Sequence, residues 1–256
     1  MHITDTHSHI YLAEFANDRD VMLKRAEAEG IKKVLMPAID STTHEEMIGV
    51  EKLNPGQCFA MMGLHPCSVK EGFKEELSIV KKYFSQRNFI AVGEIGLDFY
   101  WDKTFVTEQF EAFRLQINWS FDLDIPIVIH SRSSIDQCIE VVSKQQNGKL
   151  RGVFHCFSGN IEQAQQIIEL GFYLGIGGVL TYKNSGLDKV MEQVDMKYIV
   201  LETDAPYLSP VPFRGKRNEV SYIKYVAQKL ADIKKISMDE VATITTANAE
   251  SLFGKI

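Results

Sequence analysis

The sequence predicts an α/β chain closed into a (β/α)8 barrel, and three observations carry that expectation. Short apolar runs alternate with amphipathic stretches along the whole chain. Eight of these runs are strand-like, enough for a parallel sheet to close on itself. Six side chains able to ligate a metal sit at the ends of such runs, and the strand ends of a parallel barrel converge on one mouth.

In chain order the strand candidates are ITDTH, KKVLMPA, CFAMMGL, FIAVGEI, IPIVIH, GVFHCF, FYLGIG and YIVLET. Their near-continuous apolar character suits strands covered on both faces. Helix-like segments occupy 18–29, 43–53, 74–84, 104–121, 134–146, 160–170 and 185–194. A long loop over 205–218 follows the eighth strand, and two further helices, 219–233 and 238–250, would complete the outer ring. Asn17, Ser41 and Asn160 stand where N-caps are expected, because their side-chain oxygens can accept from free N–H groups of a first turn. Gly30 and Gly171 stand where a helix ends on a left-handed residue. An open doubly wound sheet is the alternative architecture. It would carry a Gly-rich phosphate loop after the first strand, and DTHSHIY has none.

At 256 residues and 45% hydrophobic, the chain can bury one large core. No repeat or flexible linker divides it, so residues 1–256 read as a single domain. No apolar run approaches the roughly 18 residues of a membrane span. The start MHITDTHSHI lacks a basic segment followed by a long apolar one, which points to the cytoplasm. Cys58, Cys67, Cys138 and Cys156 form no CxxC pair and are expected as reduced, mostly buried thiols. Cys156 follows His155 directly, so strand alternation would turn it to the opposite face, as a core thiol behind the site. The formal charge of −6 argues mildly against nucleic acid as a partner, but bound cations would supply their own positive field.

The six ligand candidates are His7, His9, Glu94, His130, His155 and Asp204, at the ends of strands one, four, five, six and eight. His7 and His9 are two apart on an extended run, so both imidazoles can reach one cation, with Asp5 on the same face to orient a ligand. Glu94 has two carboxylate oxygens and can bridge two cations, which imidazole cannot do in this way. A Glu between apolar FIAV and IGL also needs a partner for its charge. Asp204 lies just before Ala205-Pro206, where its strand must stop. Taken singly, each histidine could be a satisfied core residue. Together at one topological position, the six make a site for two divalent cations, and hence a metal-dependent hydrolase.

The remaining histidines carry less. His2 and His44 read as surface residues, whereas His65, in MGLHPCS, reads as a substrate contact at the same mouth. Arg132 and the cluster Arg214, Lys216 and Arg217 are candidates for phosphate, which arginine grips with two parallel hydrogen bonds. Tyr100 and Trp101 could stack on a nucleobase or pack as a lid.

The strings DTHSH, GLHP, GEIGLDFY, VIHSR, HCFSG, ETDAPYLSP and RGKRNE, running from residue 5 to residue 219, resemble the TatD family of metal-dependent deoxyribonucleases in the amidohydrolase superfamily. The resemblance implies a distorted (β/α)8 TIM barrel, two or three divalent cations, and cleavage of phosphodiester bonds in DNA, often from the 3′ end. It also implies one cation on His7, His9, Glu94 and Asp204, and a second on Glu94, His130 and His155. Phe99-Tyr100 departs from the family's more usual pair of tyrosines, and Glu219-Val220 from its frequent Glu-Pro; neither touches a ligand. Glu94 would be the bridging group, and Asp204 the general base for an attacking water. The expected partner is single-stranded DNA or a 3′ end, with no obligate protein partner and no membrane. The expected metal is zinc, magnesium or manganese. Two rivals remain: a hydrolase of a small-molecule ester, amide or phosphotriester, and a metal-binding scaffold without turnover.

Overall fold

The computed structural model describes residues 2–254. Strands β1 (Ile3–Asp5), β2 (Ile31–Met36) and β3 (Cys58–Ala60) form one parallel sheet in that order. Strands β4 (Val92–Asp98), β5 (Ile127–Arg132), β6 (Gly152–Phe154), β7 (Phe172–Ile176) and β8 (Ile199–Leu201) form a second. Two narrow seams join them. Met62 bridges to Val92 between β3 and β4. At the other seam the backbone N–H and Oγ1 of Thr6 both donate to the Leu201 carbonyl at 3.0 Å. The result is a distorted (β/α)8 barrel.

Helices follow the strands in turn: α1 (Arg19–Ala28), α2 (His44–Leu53), α3 (Phe73–Gln86), α4 (Val106–Leu123), α5 (Ile135–Gln145), α6 (Ile161–Glu169) and α7 (Leu187–Gln193). α8 (Ile223–Lys234) and α9 (Met238–Phe253) complete the set after the long loop, and a short 3-10 turn over Val220–Tyr222 leads into α8. None of the described helices is long and apolar enough to cross a membrane. Gly30 and Gly171 take φ of 85° and 84° at the ends of α1 and α6, as their positions predict. Asn160 caps α6 through a reciprocal pair with Gln163, at 2.8 and 3.0 Å.

Three local expectations fail. α1 begins after Asp18 rather than Asn17, and the Asp18 carboxylate is engaged by Arg217 and Arg25 instead of the helix. α2 begins after Thr43, and Ser41 Oγ donates to Glu76 Oε1 at 2.6 Å. His44 is fully buried, not on the surface. It opens α2, its ring meets the Tyr83 ring edge-on at 5.3 Å, and packing has outweighed its polarity.

Two apolar layers flank the strands. Leu35, Met61, Ala91, Val128, Val153 and Val200 alternate with the outward strand residues and cluster with Ala249, Leu252 and Phe253 of α9. α9 lies across the N-terminal ends of the strands, since Asn248 Nδ2 donates to Ile199 O and Thr246 Oγ1 to His2 O. The larger layer, with Phe113, Ile117, Ile129 and Ile167, fills the space between strands and helices. With one end plugged by apolar side chains, the polar groups collect at the other.

Candidate metal centre

The chain leaves β1 at Asp5, and hydrogen bonds fix the path of residues 6–9 beyond it. The buried Asp5 carboxylate accepts from His7 N at 3.2 Å and from Thr203 N and Oγ1 at 3.0 and 2.6 Å. His9 N donates to Ala205 O at 2.7 Å, and Asp204 N to His7 O at 2.9 Å. The two ligand-bearing loops are thus stapled together. Asp5 orients the backbone of the HxH segment rather than an imidazole ring. Burial pushes its pKa up to about 8, against those hydrogen bonds.

Glu94 lies within β4, after a cis Gly93–Glu94 peptide, and its two oxygens face different partners. Oε2 is 3.2 Å from His7 Nε2 and 3.6 Å from His9 Nε2. Oε1 is 2.8 Å from His130 Nδ1, 3.2 Å from His155 Nε2 and 3.5 Å from His65 Nε2. Asp204 Oδ1 stands 3.8 Å from His7 Nε2 and 3.6 Å from His9 Nε2. The atoms form three groupings, each within 4.8 Å: His7 with His9 and Glu94, His7 with His155 and Asp204, and His65 with Glu94 and His130. Close approach of β4 to β5 makes this possible, because a Cβ on Gly96 would lie 2.1 Å from the His130 carbonyl oxygen.

The residues fit divalent cations. His7 Nε2 and His9 Nε2 lie only 3.3 Å apart. Tyr11 Oη donates to Pro37 O at 2.7 Å, so at 3.0 Å it accepts the proton of His9 Nδ1 and leaves His9 Nε2 bare. Burial drives His7 down to about 4, aided by the neighbouring His155 charge, and His9 well below its ordinary value. Burial alone would raise Glu94, but facing His155, His7 and His65 holds its carboxyl well below the usual range. For His7, His9 and Glu94, neutral imidazoles beside an ionised carboxylate are the protonation states that ligation needs. Burial lifts Asp204 to about 7, although it is the more open of the carboxylates, with 13% of its side chain exposed.

Around these groups lies a cleft of about 890 Å³. His65 lines it, as do Arg132, Trp101, Tyr207 and Cys156. Cys156 corrects the expectation of a thiol behind the site. β6 ends at Phe154, and Cys156 takes φ 48° with its N–H on Glu202 Oε1 at 2.6 Å, so strand alternation no longer sets its direction. The Arg132 guanidinium rests 4.1 Å from the ring centre of Tyr100 and 5.0 Å from that of Trp101, both rings exposed. Arg214 stacks on Tyr182 at 4.0 Å. Arg217 is committed elsewhere, to Asp18 at 2.8 and 2.7 Å and to the face of Phe15.

The family described as TatD related DNase matches residues 4–254. The chain belongs to the TatD family. Among its relatives, the metal-dependent hydrolase YabD of Bacillus subtilis is 35% identical over 251 residues, spanning 97% of this chain and 98% of that one. The 3′-5′ ssDNA/RNA exonuclease TatD of Erwinia tasmaniensis is 27% identical over 246 residues, 94% and 95% of the two chains. The crystal structure of the TatD homologue YjjV from Escherichia coli K12 matches with a TM-score of 0.92 at 28% identity, covering 98% of this chain and 97% of that one. This TatD-family chain is a metal-dependent hydrolase on a TIM-barrel fold.

Three positioning groups of this TatD-family site were not singled out from the sequence. Asp98 Oδ2 lies 2.8 Å from His130 Nε2, and Glu202 Oε1 lies 3.1 Å from His155 Nδ1. Asp98 raises His130 against burial, as Glu202 and Glu94 raise His155. Strand periodicity offered a signal for the first, since Glu94, Gly96 and Asp98 share one face of β4. For Tyr11 on His9, beyond the end of β1, no periodicity was available.

Proposed function

We propose that this protein is a divalent-cation-dependent phosphodiesterase acting on DNA, removing nucleotides from 3′ ends of single strands. The observation that carries the reading is the division of Glu94, with Oε2 toward His7 and His9 and Oε1 toward His130 and His155. In this reading His7, His9, Glu94 and Asp204 hold one cation, and Glu94, His130 and His155 the second. Imidazole suits zinc, and the carboxylates also admit magnesium or manganese. When bound, the cations supply an activated water and charge stabilisation for the phosphoryl group and the departing 3′ oxygen.

The rest of the chemistry belongs to the chain. Asp204, at the cleft floor with its pKa raised to about 7 by burial, takes the proton from the attacking water. Arg132 is held against the Tyr100 and Trp101 rings, and its N–H groups are offered to a backbone phosphate. The exposed Tyr100 and Trp101 rings support a nucleobase, with His65 and Arg214 as further substrate contacts. Arg217 is left out of this set, because Asp18 occupies it. The named activity of the Erwinia tasmaniensis relative supports the same substrate class.

The test is a substrate panel on manganese- or zinc-loaded protein: single-stranded DNA, RNA, an aryl phosphodiester, a phosphotriester, a lactone and an amide. The reading predicts turnover of DNA, with Asp204→Ala losing several powers of ten in kcat. Turnover confined to the lactone, amide or phosphotriester would transfer the site to the small-molecule reading.

A further inference from the structure

One grouping of ligand-type atoms consists of His65, Glu94 and His130, and by distance alone His65 reads as a metal ligand. Its hydrogen bonds exclude that role. His65 Nδ1 accepts the backbone N–H of Cys67 at 3.0 Å and so caps the short turn Pro66–Ser68. A neutral imidazole that accepts at one ring nitrogen carries its proton on the other. Nε2 of His65 is therefore an N–H, with no lone pair to offer a cation. His130 is the opposite case. Its Nε2 faces Asp98 Oδ2 and its Nδ1 faces Glu94 Oε1, each at 2.8 Å, so Nδ1 is the nitrogen turned toward the centre. His65 Nε2 lies 3.3 Å from that nitrogen and 3.5 Å from Glu94 Oε1.

We propose that His65 is a fixed hydrogen-bond donor to the substrate rather than a metal ligand, its Nε2–H holding a non-bridging oxygen of the phosphoryl group in the cleft. The proposal rests on the phosphodiesterase reading for the identity of that oxygen. A cation held by His130 Nδ1 would occupy that nitrogen and leave the His65 N–H for an anionic oxygen. His65 lines the cleft with 14% of its side chain exposed. The Cys67 cap fixes the ring before substrate arrives, and a donor already aimed needs no reorganisation when charge develops.

Two variants separate the cap from the donor. In His65→Asn the short amide can still accept the Cys67 N–H, as asparagine does at helix and turn starts, but the Nε2–H is gone. His65→Ala removes both. Each protein, loaded with manganese, is assayed for bound metal by mass spectrometry and for inorganic phosphate affinity by calorimetry. The proposal predicts the parent's cation count in both variants, the parent's melting temperature in His65→Asn, and phosphate binding weakened about tenfold to a hundredfold in each. Loss of one cation per chain in both variants would make His65 a ligand and overturn the proposal. Unchanged phosphate affinity in both would overturn it equally. If the parent binds phosphate yet leaves DNA intact, the phosphodiesterase reading fails, while weakened phosphate binding in the variants still upholds the donor.

Discussion

Asp98 Oδ2 sits 2.8 Å from His130 Nε2 and fixes which nitrogen of that imidazole faces the centre. The other carboxylate oxygen accepts from Tyr100 N at 2.9 Å and Trp101 N at 3.1 Å. One side chain therefore sets both a ligand's tautomer and the start of the aromatic rim. Burial alone would raise Asp98, but His130 and these two amides hold it well below the usual carboxylate range. Asp98→Asn would keep an acceptor for the amides while turning N–H groups toward His130 Nε2. The imidazole proton would then move to Nδ1, against Glu94. Affinity for one of two cations is expected to fall about 10- to 100-fold, as losses of such supporting partners do. A chelator-competition titration measures it, and unchanged affinity at both sites would rule out ligation through His130 Nδ1.

Three of the four thiols should divide by position. Burial pushes Cys58 and Cys138 up to about 12. Thiolate is the reactive form, so at pH 8 only about one in ten thousand of these groups would be ionised. Cys67 is half-buried and lines the cleft. Iodoacetamide at pH 8 is expected to label Cys67 in the folded protein, and Cys58 and Cys138 only after unfolding, as read by peptide mass spectrometry. Linkage has a matching sign. A thiol whose pKa is raised on folding contributes stability that is whole below about 9 and is lost as pH rises toward about 12.

How much of this was legible depends on whether the signal was periodic. The eight apolar runs gave the strands in order, because strands covered on both faces are apolar at nearly every position. Asn160 and the glycines at 30 and 171 declared helix ends through local hydrogen bonding and φ. Ser41 and Asn17 had the same chemistry but lost the caps, Ser41 to a tertiary bond with Glu76 and Asn17 to a helix start one residue later. The ligand types were readable as composition at strand ends. What orients them was not, since Glu202 reaches His155 across a separation of 47 residues and Tyr11 acts beyond the last strand residue. Arg217 failed as a phosphate candidate for a similar reason: its carboxylate partner, Asp18, is 199 residues away.

Glu219 offers a test of the frame that carries the long loop. Arg25 donates to its two oxygens at 3.1 and 2.7 Å, and Ser221 Oγ bonds to it as well. Burial would raise Glu219, but Arg25 and Ser221 together hold it below its ordinary value. A carboxylate depressed on folding contributes stability above its unfolded pKa and loses it as pH falls through the folded one. Glu219→Gln should therefore cost about 1–2 kcal/mol at pH 7, with the difference from the parent shrinking below about pH 4. Denaturant midpoints at the two pH values would show it, and a difference that stays constant with pH would contradict the ion pair.

The central claim is that Glu94 joins two cation sites that together cleave DNA. Metal-stripped protein is incubated with 5′-labelled single-stranded DNA, with magnesium, manganese or zinc restored, beside the Glu94→Ala variant. The account predicts a ladder shortening from the 3′ end only when metal is present, and none from the variant, which should also hold fewer cations per chain. An intact oligonucleotide with every metal, from folded parent protein carrying two cations, would contradict it.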